Sequence, residues 1–166
     1  MNFEFKYPEF AKYPISAIVN VTDDCNLACR YCFVEQHPHY MTLDTAKVAV
    51  DWLYNNYLKI KELNLEKDKP MLYFFGGEPM LCYKSIIVPI VKYCEEKYPN
   101  TFQFGITTNG TLLNKKIIDF FKEKNFSIMF SMDGIKESQD YTRPCKHNCN
   151  LSSYDLIMKN INYVVR

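Results

Sequence analysis

Glycine is scarce in this chain, with five residues among 166, or about 3% where soluble proteins average ~7%. A chain so sparing with it should keep glycine for places where no side chain fits or the backbone must turn unusually. Long hydrophobic runs are missing as well. No apolar stretch reaches the roughly 18 residues of a membrane-spanning helix, and the opening MNFEFKYPEF lacks the apolar core of a signal peptide. No membrane is expected, and the expected location is the cytoplasm. Charge is balanced: 20 Lys and Arg against 19 Asp and Glu leave a net +1, too weak a field to suggest a nucleic-acid partner. With 48% hydrophobic and 23% charged residues, the composition is that of an ordinary globular domain, read as one unit over 1–166.

Cysteine, by contrast, is plentiful. Seven is an odd number, and without a signal peptide a disulfide framework is not expected. Cys82 and Cys94 stand alone in apolar stretches and read as buried thiols. Cys25, Cys29 and Cys32 are crowded into CNLACRYC.

Along the chain, short β-branched or aromatic runs alternate with helical periodicity. ISAIVNV (15–21), MLYFF (71–75), FQFGIT (102–107) and FSIMFSM (126–132) read as strands. Helices are expected over 42–63, with Thr42 as cap, and over about 83–98, where Pro89 predicts a kink or a late start. Two more are expected over 114–125 and 153–166. Four β-α units imply an α/β fold with a parallel sheet and right-handed crossovers. Gly76, Gly77, Gly110 and Gly134 then fall just past strand ends, as do the three crowded cysteines, and only Gly105 lies within a strand. All the unusual residues gather at the carboxyl edge of the sheet, where parallel α/β folds bind ligands.

Three chemistries fit Cys25, Cys29 and Cys32. Their i, i+4, i+7 spacing could be a helical stripe of small core residues. A structural zinc site needs a fourth ligand, for which His37 or His39 is near. An iron–sulfur cluster held by three thiolates keeps one iron open for a substrate or cofactor.

GGEP at 76–79, TTNG at 107–110 and SMDG at 131–134 follow the CxxxCxxC run in order, with Tyr31 just before its third cysteine. Together these resemble the landmarks of the radical S-adenosylmethionine (radical SAM) superfamily over nearly the whole chain. The wording YCFVEQHPHYM, FFGGEPML, TTNGTLL and QDYTRP is similar to its peptide- and protein-modifying branch, which includes peptide maturases and sulfatase-maturing enzymes. The resemblance implies a partial (βα) barrel and a [4Fe–4S] cluster on Cys25, Cys29 and Cys32, with S-adenosylmethionine (SAM) on the fourth iron. Reductive cleavage of SAM to a 5′-deoxyadenosyl radical follows, used on a ribosomal peptide or protein for thioether formation or side-chain oxidation. An electron donor such as flavodoxin or ferredoxin is implied. Among cofactor contacts, it places Tyr31 near the adenine, Gly76 and Gly77 against the methionyl group, and Glu78 on its amine. Asn109, Ser131 and Asp133 would line the SAM site, with Arg143 on the carboxylate.

Plainer readings stand beside these. Tyr31 could be an aromatic at the barrel mouth, GGEP a strand-to-helix turn opened by Pro79, Asn109-Gly110 a tight turn, and Arg143 a solvated loop residue. Cys145, His147 and Cys149 in CKHNC (145–149), on the loop after the fourth strand, could be a further metal or redox group or plain surface residues. No catalytic base stands out. The family core usually has six βα units, of which about four are present here, without an auxiliary-cluster domain. The expectation is therefore a C-terminally truncated chain, a fragment, or a half-barrel needing a partner, and the rival function is a non-catalytic cluster- or SAM-binding module.

Overall fold

Each strand keeps one face apolar. The computed structural model describes residues 9–65, 68–147 and 150–164. Strands β1 (Ser16–Thr22), β2 (Met71–Gly76), β3 (Gln103–Thr108) and β4 (Ser127–Phe130) form one sheet in the order β1-β2-β3-β4. Every pairing is parallel. Because each strand lies beside the next in sequence, right-handed crossovers stack the helices on one side, as in a barrel wall. Val19, Val21, Leu72, Phe74, Phe104 and Ile106 point to that side and are buried. The opposite face is open: Ile18 and Met129 are 72% and 61% exposed.

The helices start where local chemistry permits. In α1 (Leu43–Glu62), Thr42 caps by accepting from the Thr45 amide at 3.1 Å. Its buried residues Ala46, Val50, Leu53, Tyr57 and Ile60 recur at helical spacing. Pro89 coincides with an irregularity in place of a clean start: a 3-10 turn (Pro79–Cys82) and a π turn (Tyr83–Ile87) run directly into α2 (Val88–Lys97), and the missing N–H falls where the hydrogen-bond pattern changes. Asn114 caps α3 (Lys115–Glu123) through the Ile117 amide. Phe74, Phe104, Phe120, Phe121 and Phe126 stack between α3 and the sheet. Cys82 and Cys94 are buried in this core, as expected. Helix α5 (Ser153–Val164) runs to the last described residues.

One helix departs from the sequence reading, which left the segment after β4 as a loop. Helix α4 (Lys136–Thr142) has no apolar stripe to announce it. It is organised by Gln139, fully buried, whose Oε1 accepts the Asp133 amide at 2.8 Å. Asp140 then accepts from the Tyr154 amide and Ser152 Oγ, both at 3.0 Å, joining α4 to the start of α5.

Candidate cofactor site

The cysteine segment leaves β1 as an irregular loop, so the helical-stripe reading does not hold. Thr22 Oγ1 starts it, accepting from the Asp24 amide (3.0 Å) and donating to His39 O (2.7 Å). Asp24 is its hub: its carboxylate accepts from the Cys25 amide (2.8 Å), Tyr40 Oη (2.8 Å) and Lys146 Nζ (3.1 Å). From the other side, residues 142–146 lie antiparallel to the loop. Arg30 N donates to Thr142 O, Ala28 N to Pro144 O and Lys146 N to Asn26 O, at 2.9–3.0 Å.

Cys25, Cys29 and Cys32 all line one cavity of about 160 Å³ at the carboxyl edge of the sheet. Gly76, Gly77 and Glu78 from the end of β2, Thr107, Thr108 and Asn109 from β3, and Ser131 and Arg143 from beyond β4 complete its wall, with Tyr31 and Phe33 at the loop. Motifs separated by up to 118 positions thus meet at one place. Cys25 is buried, Cys29 half-buried and Cys32 exposed, its Sγ turned to Val34 O at 3.7 Å. Among the described residues, no three His, Cys, Asp or Glu side chains already converge as a metal cage. Burial pushes the Cys25 thiol up to about 11 and also raises Cys29, where Arg143 pulls the other way. Metal binding therefore has to displace thiol protons. The donor set fits an iron–sulfur cluster: three soft thiols line one cavity, whose one carboxylate, Glu78, is already held by internal donors. His37 and His39 are not on the cavity wall; they are exposed and sit 3.8 Å from Glu35 and 3.4 Å from Asp23.

The two-glycine turn is stitched to the cysteine loop. Gly77 N donates to Thr22 O (2.8 Å) and Glu78 N to Asp24 O (2.9 Å). A Cβ on Gly77 would lie 2.3 Å from Asp24 O, a backbone atom that cannot swing aside. Gly77→Ala should therefore shift the cysteine loop itself, costing about 1–3 kcal/mol in urea unfolding, as overpacking does. Unchanged stability and unchanged loop chemistry in that variant would show that the two turns are not coupled.

Glu78 is 1% exposed, and three internal donors hold its carboxylate: Thr108 Oγ1 (2.6 Å), Asn109 N (2.7 Å) and Met80 N (3.0 Å). It joins the end of β2 to the end of β3 at the cavity wall. Asn109 is similarly engaged. Its Nδ2 donates to Asn26 Oδ1 (2.9 Å) and reaches Cys25 Sγ (3.8 Å), while its Oδ1 accepts from Thr111 N and Oγ1. Gly110, at φ 75°, closes that turn. Ser131 is held by its amide on Thr108 O (3.0 Å). Tyr31 and Arg143 line the cavity, with the guanidinium 5.2 Å from the ring centroid, whereas Asp133 lies outside it, accepting a hydrogen bond from Tyr31 and forming an ion pair with Arg143, whose buried Nε makes no hydrogen bond. Of CKHNC, Cys145 is buried against Cys25 and Leu27, His147 is exposed, and Cys149 lies outside the described residues.

Sequence reasoning passed over Asp24 and Lys146, which pin the loop, and Gln139. Their partners are distant in sequence, and no local pattern marks them. A larger cavity, about 540 Å³, opens at the amino edge between α2, α3 and the strand starts, but its Lys124 is paired with Glu95 and Glu123 and it gathers no thiol cluster.

Fold and site together define a half-barrel βα domain with a thiol-lined pocket at its carboxyl edge. The family profile described as the radical SAM superfamily matches residues 19–166, and the chain belongs to that superfamily. An uncharacterized protein of Methanocaldococcus jannaschii is 39% identical over 134 residues, 78% of this chain and 42% of that protein. A serine-type anaerobic sulfatase-maturating enzyme of Bacteroides thetaiotaomicron is 31% identical over 162 residues, 94% of this chain and 37% of the enzyme. Among solved structures, anSMEcpe with bound AdoMet and a Cp18Cys peptide superposes with a TM-score of 0.74. It is 24% identical, covering 92% of this chain and 40% of that one, and the likeness bears on the fold. The chain spans about two-fifths of the length of these relatives. Membership implies a [4Fe–4S] cluster and SAM as cofactors. No helix among the described residues is long and apolar enough to cross a membrane.

Proposed function

We propose that this chain carries the cluster- and SAM-binding part of a radical SAM enzyme that modifies a ribosomally made peptide or protein in the cytoplasm. The observation that carries it is the meeting of three thiols, a two-glycine turn and an arginine on one small cavity. A bound [4Fe–4S] cluster with SAM supplies one-electron cleavage of the sulfonium and a 5′-deoxyadenosyl radical. Cys25, Cys29 and Cys32 are the cluster ligands. Gly76 and Gly77 present bare backbone to the methionyl group, Arg143 offers charge to its carboxylate, and Tyr31 and Ser131 border the nucleoside. Glu78 and Asn109 keep the two turns in place beneath it. Relatives include sulfatase-maturating enzymes and a cyclopropyl synthase, which favours a peptide or protein substrate, modified by thioether formation or side-chain oxidation. A flavodoxin- or ferredoxin-type donor would deliver the electron.

The second reading is a cluster- or SAM-binding module without turnover, which would use the same cavity residues. Both share a first test. Anaerobically reconstituted protein should hold about four irons and four sulfides per chain. Stoichiometric zinc without iron would replace both with a structural metal site.

A further inference from the structure

We propose that Asp133 is a positioning residue, acting on the cavity only through Tyr31 and Arg143. Its carboxylate does not line the cavity, although both of those side chains do. Oδ2 accepts from Tyr31 Oη at 2.5 Å and from Thr142 Oγ1 at 2.7 Å, while Oδ1 lies 3.0 Å from Arg143 Nε. Oδ2 is thus committed to protein donors, and Oδ1 faces the Arg143 guanidinium as an ion pair, so the carboxylate is directed at the two cavity-lining side chains and away from the cavity. The Asp133 amide is fixed in turn on the fully buried Gln139, at 2.8 Å. The carboxylate is therefore fixed through its own backbone on α4 and reaches out to the exposed ring of Tyr31.

Without that anchor, Tyr31 has little to hold it: it is 54% exposed on an irregular loop. Arg143 faces the same ring at 5.2 Å, so one carboxylate sets the spacing of an aromatic face and a guanidinium across the cavity mouth. It also ties Thr142, whose carbonyl receives the Arg30 amide, and so links the ring pair to the backbone ladder on the cysteine loop. The positioning stands on geometry alone. Its consequence for a SAM-type ligand rests on the function proposed above.

The test uses anaerobically reconstituted wild type, Asp133→Asn, Tyr31→Phe and the double variant, with unreactive S-adenosylhomocysteine as ligand. Asp133→Asn should weaken binding about tenfold, the scale of a lost charge-assisted hydrogen bond. The double variant should bind about as the weaker single does, because both changes break one unit. In parallel, hydrogen exchange of residues 28–33 should speed up about tenfold in Asp133→Asn, with β2 unchanged as the sign of an intact fold. Thr142→Val, which removes a hydroxyl shared between Asp133 and the Ser138 carbonyl (2.8 Å) and no charge, should show a smaller change in the same direction. Exchange that stays at the wild-type rate overturns the proposal, and so do effects on binding that multiply in the double variant. If exchange responds but no form binds the nucleoside, the positioning role stands and the proposed function fails.

Discussion

Replacing Cys29 with alanine is expected to reduce the iron of reconstituted protein from about four per chain to a trace. Cys29 is the middle ligand of the proposed set, half-buried in the cavity wall beside Arg143. Two remaining thiolates would leave two irons without protein ligands, and such a cluster is lost to solvent and chelators. The control is Cys82→Ala. Cys82 is 1% exposed in the main core, its Sγ directed at Val21 O, and it is not on the cavity wall. That variant should keep its iron and lose only the stability of a small cavity. Iron at the wild-type level in Cys29→Ala would remove the ligand assignment, and loss in both would point to general unfolding instead.

Glu78→Ala should be the most destabilising single change outside the thiols, at about 3 kcal/mol or more. The substitution strands the Thr108 hydroxyl and the Asn109 and Met80 amides around an emptied space, all in the interior. Urea unfolding at several pH values adds a signed prediction. Burial pushes the Glu78 carboxyl up from 4.5 to about 7 against the pull of its three donors. The folded chain thus holds this proton more tightly than the unfolded chain does. Its contribution is full below about pH 4.5 and is lost as pH rises through 7. The stability gap between wild type and Glu78→Ala should accordingly be wider at pH 5 than at pH 8, by something on the order of 3 kcal/mol at most. A gap that widens toward alkaline pH would mean that the donors, not burial, govern this carboxyl.

Much of this architecture can be read from residue order. Strand, then motif, then helix repeats four times, and a parallel sheet has only one edge at which those motifs can meet. Gly77 illustrates why the reading works: backbone contact with Asp24 leaves no room for a side chain, so the residue type itself reports a close approach. Gly105 is similar, since a Cβ there would strike the Tyr73 ring at 2.4 Å. What escaped the sequence depends on partners distant along the chain. Helix α4 is organised around one buried glutamine and has no apolar periodicity. The Asp24–Lys146 pair spans 122 positions, and neither residue type is unusual where it stands. Glu78 and Asp133 were legible as belonging to the site. That Glu78 is held by three internal donors at the cavity wall, and that Asp133 stands outside the cavity against Tyr31, depends on hydrogen-bond geometry that no spacing rule encodes.

The central claim is that these four strand ends assemble a site for radical initiation from SAM. The most direct test is 5′-deoxyadenosine formation. Reconstituted protein is given SAM and a strong reductant under anaerobic conditions, beside a Cys25→Ala, Cys29→Ala, Cys32→Ala triple variant. The account predicts 5′-deoxyadenosine from wild type and none from the variant. Equal yields from the two, or none from a wild type that holds its full cluster, would contradict it.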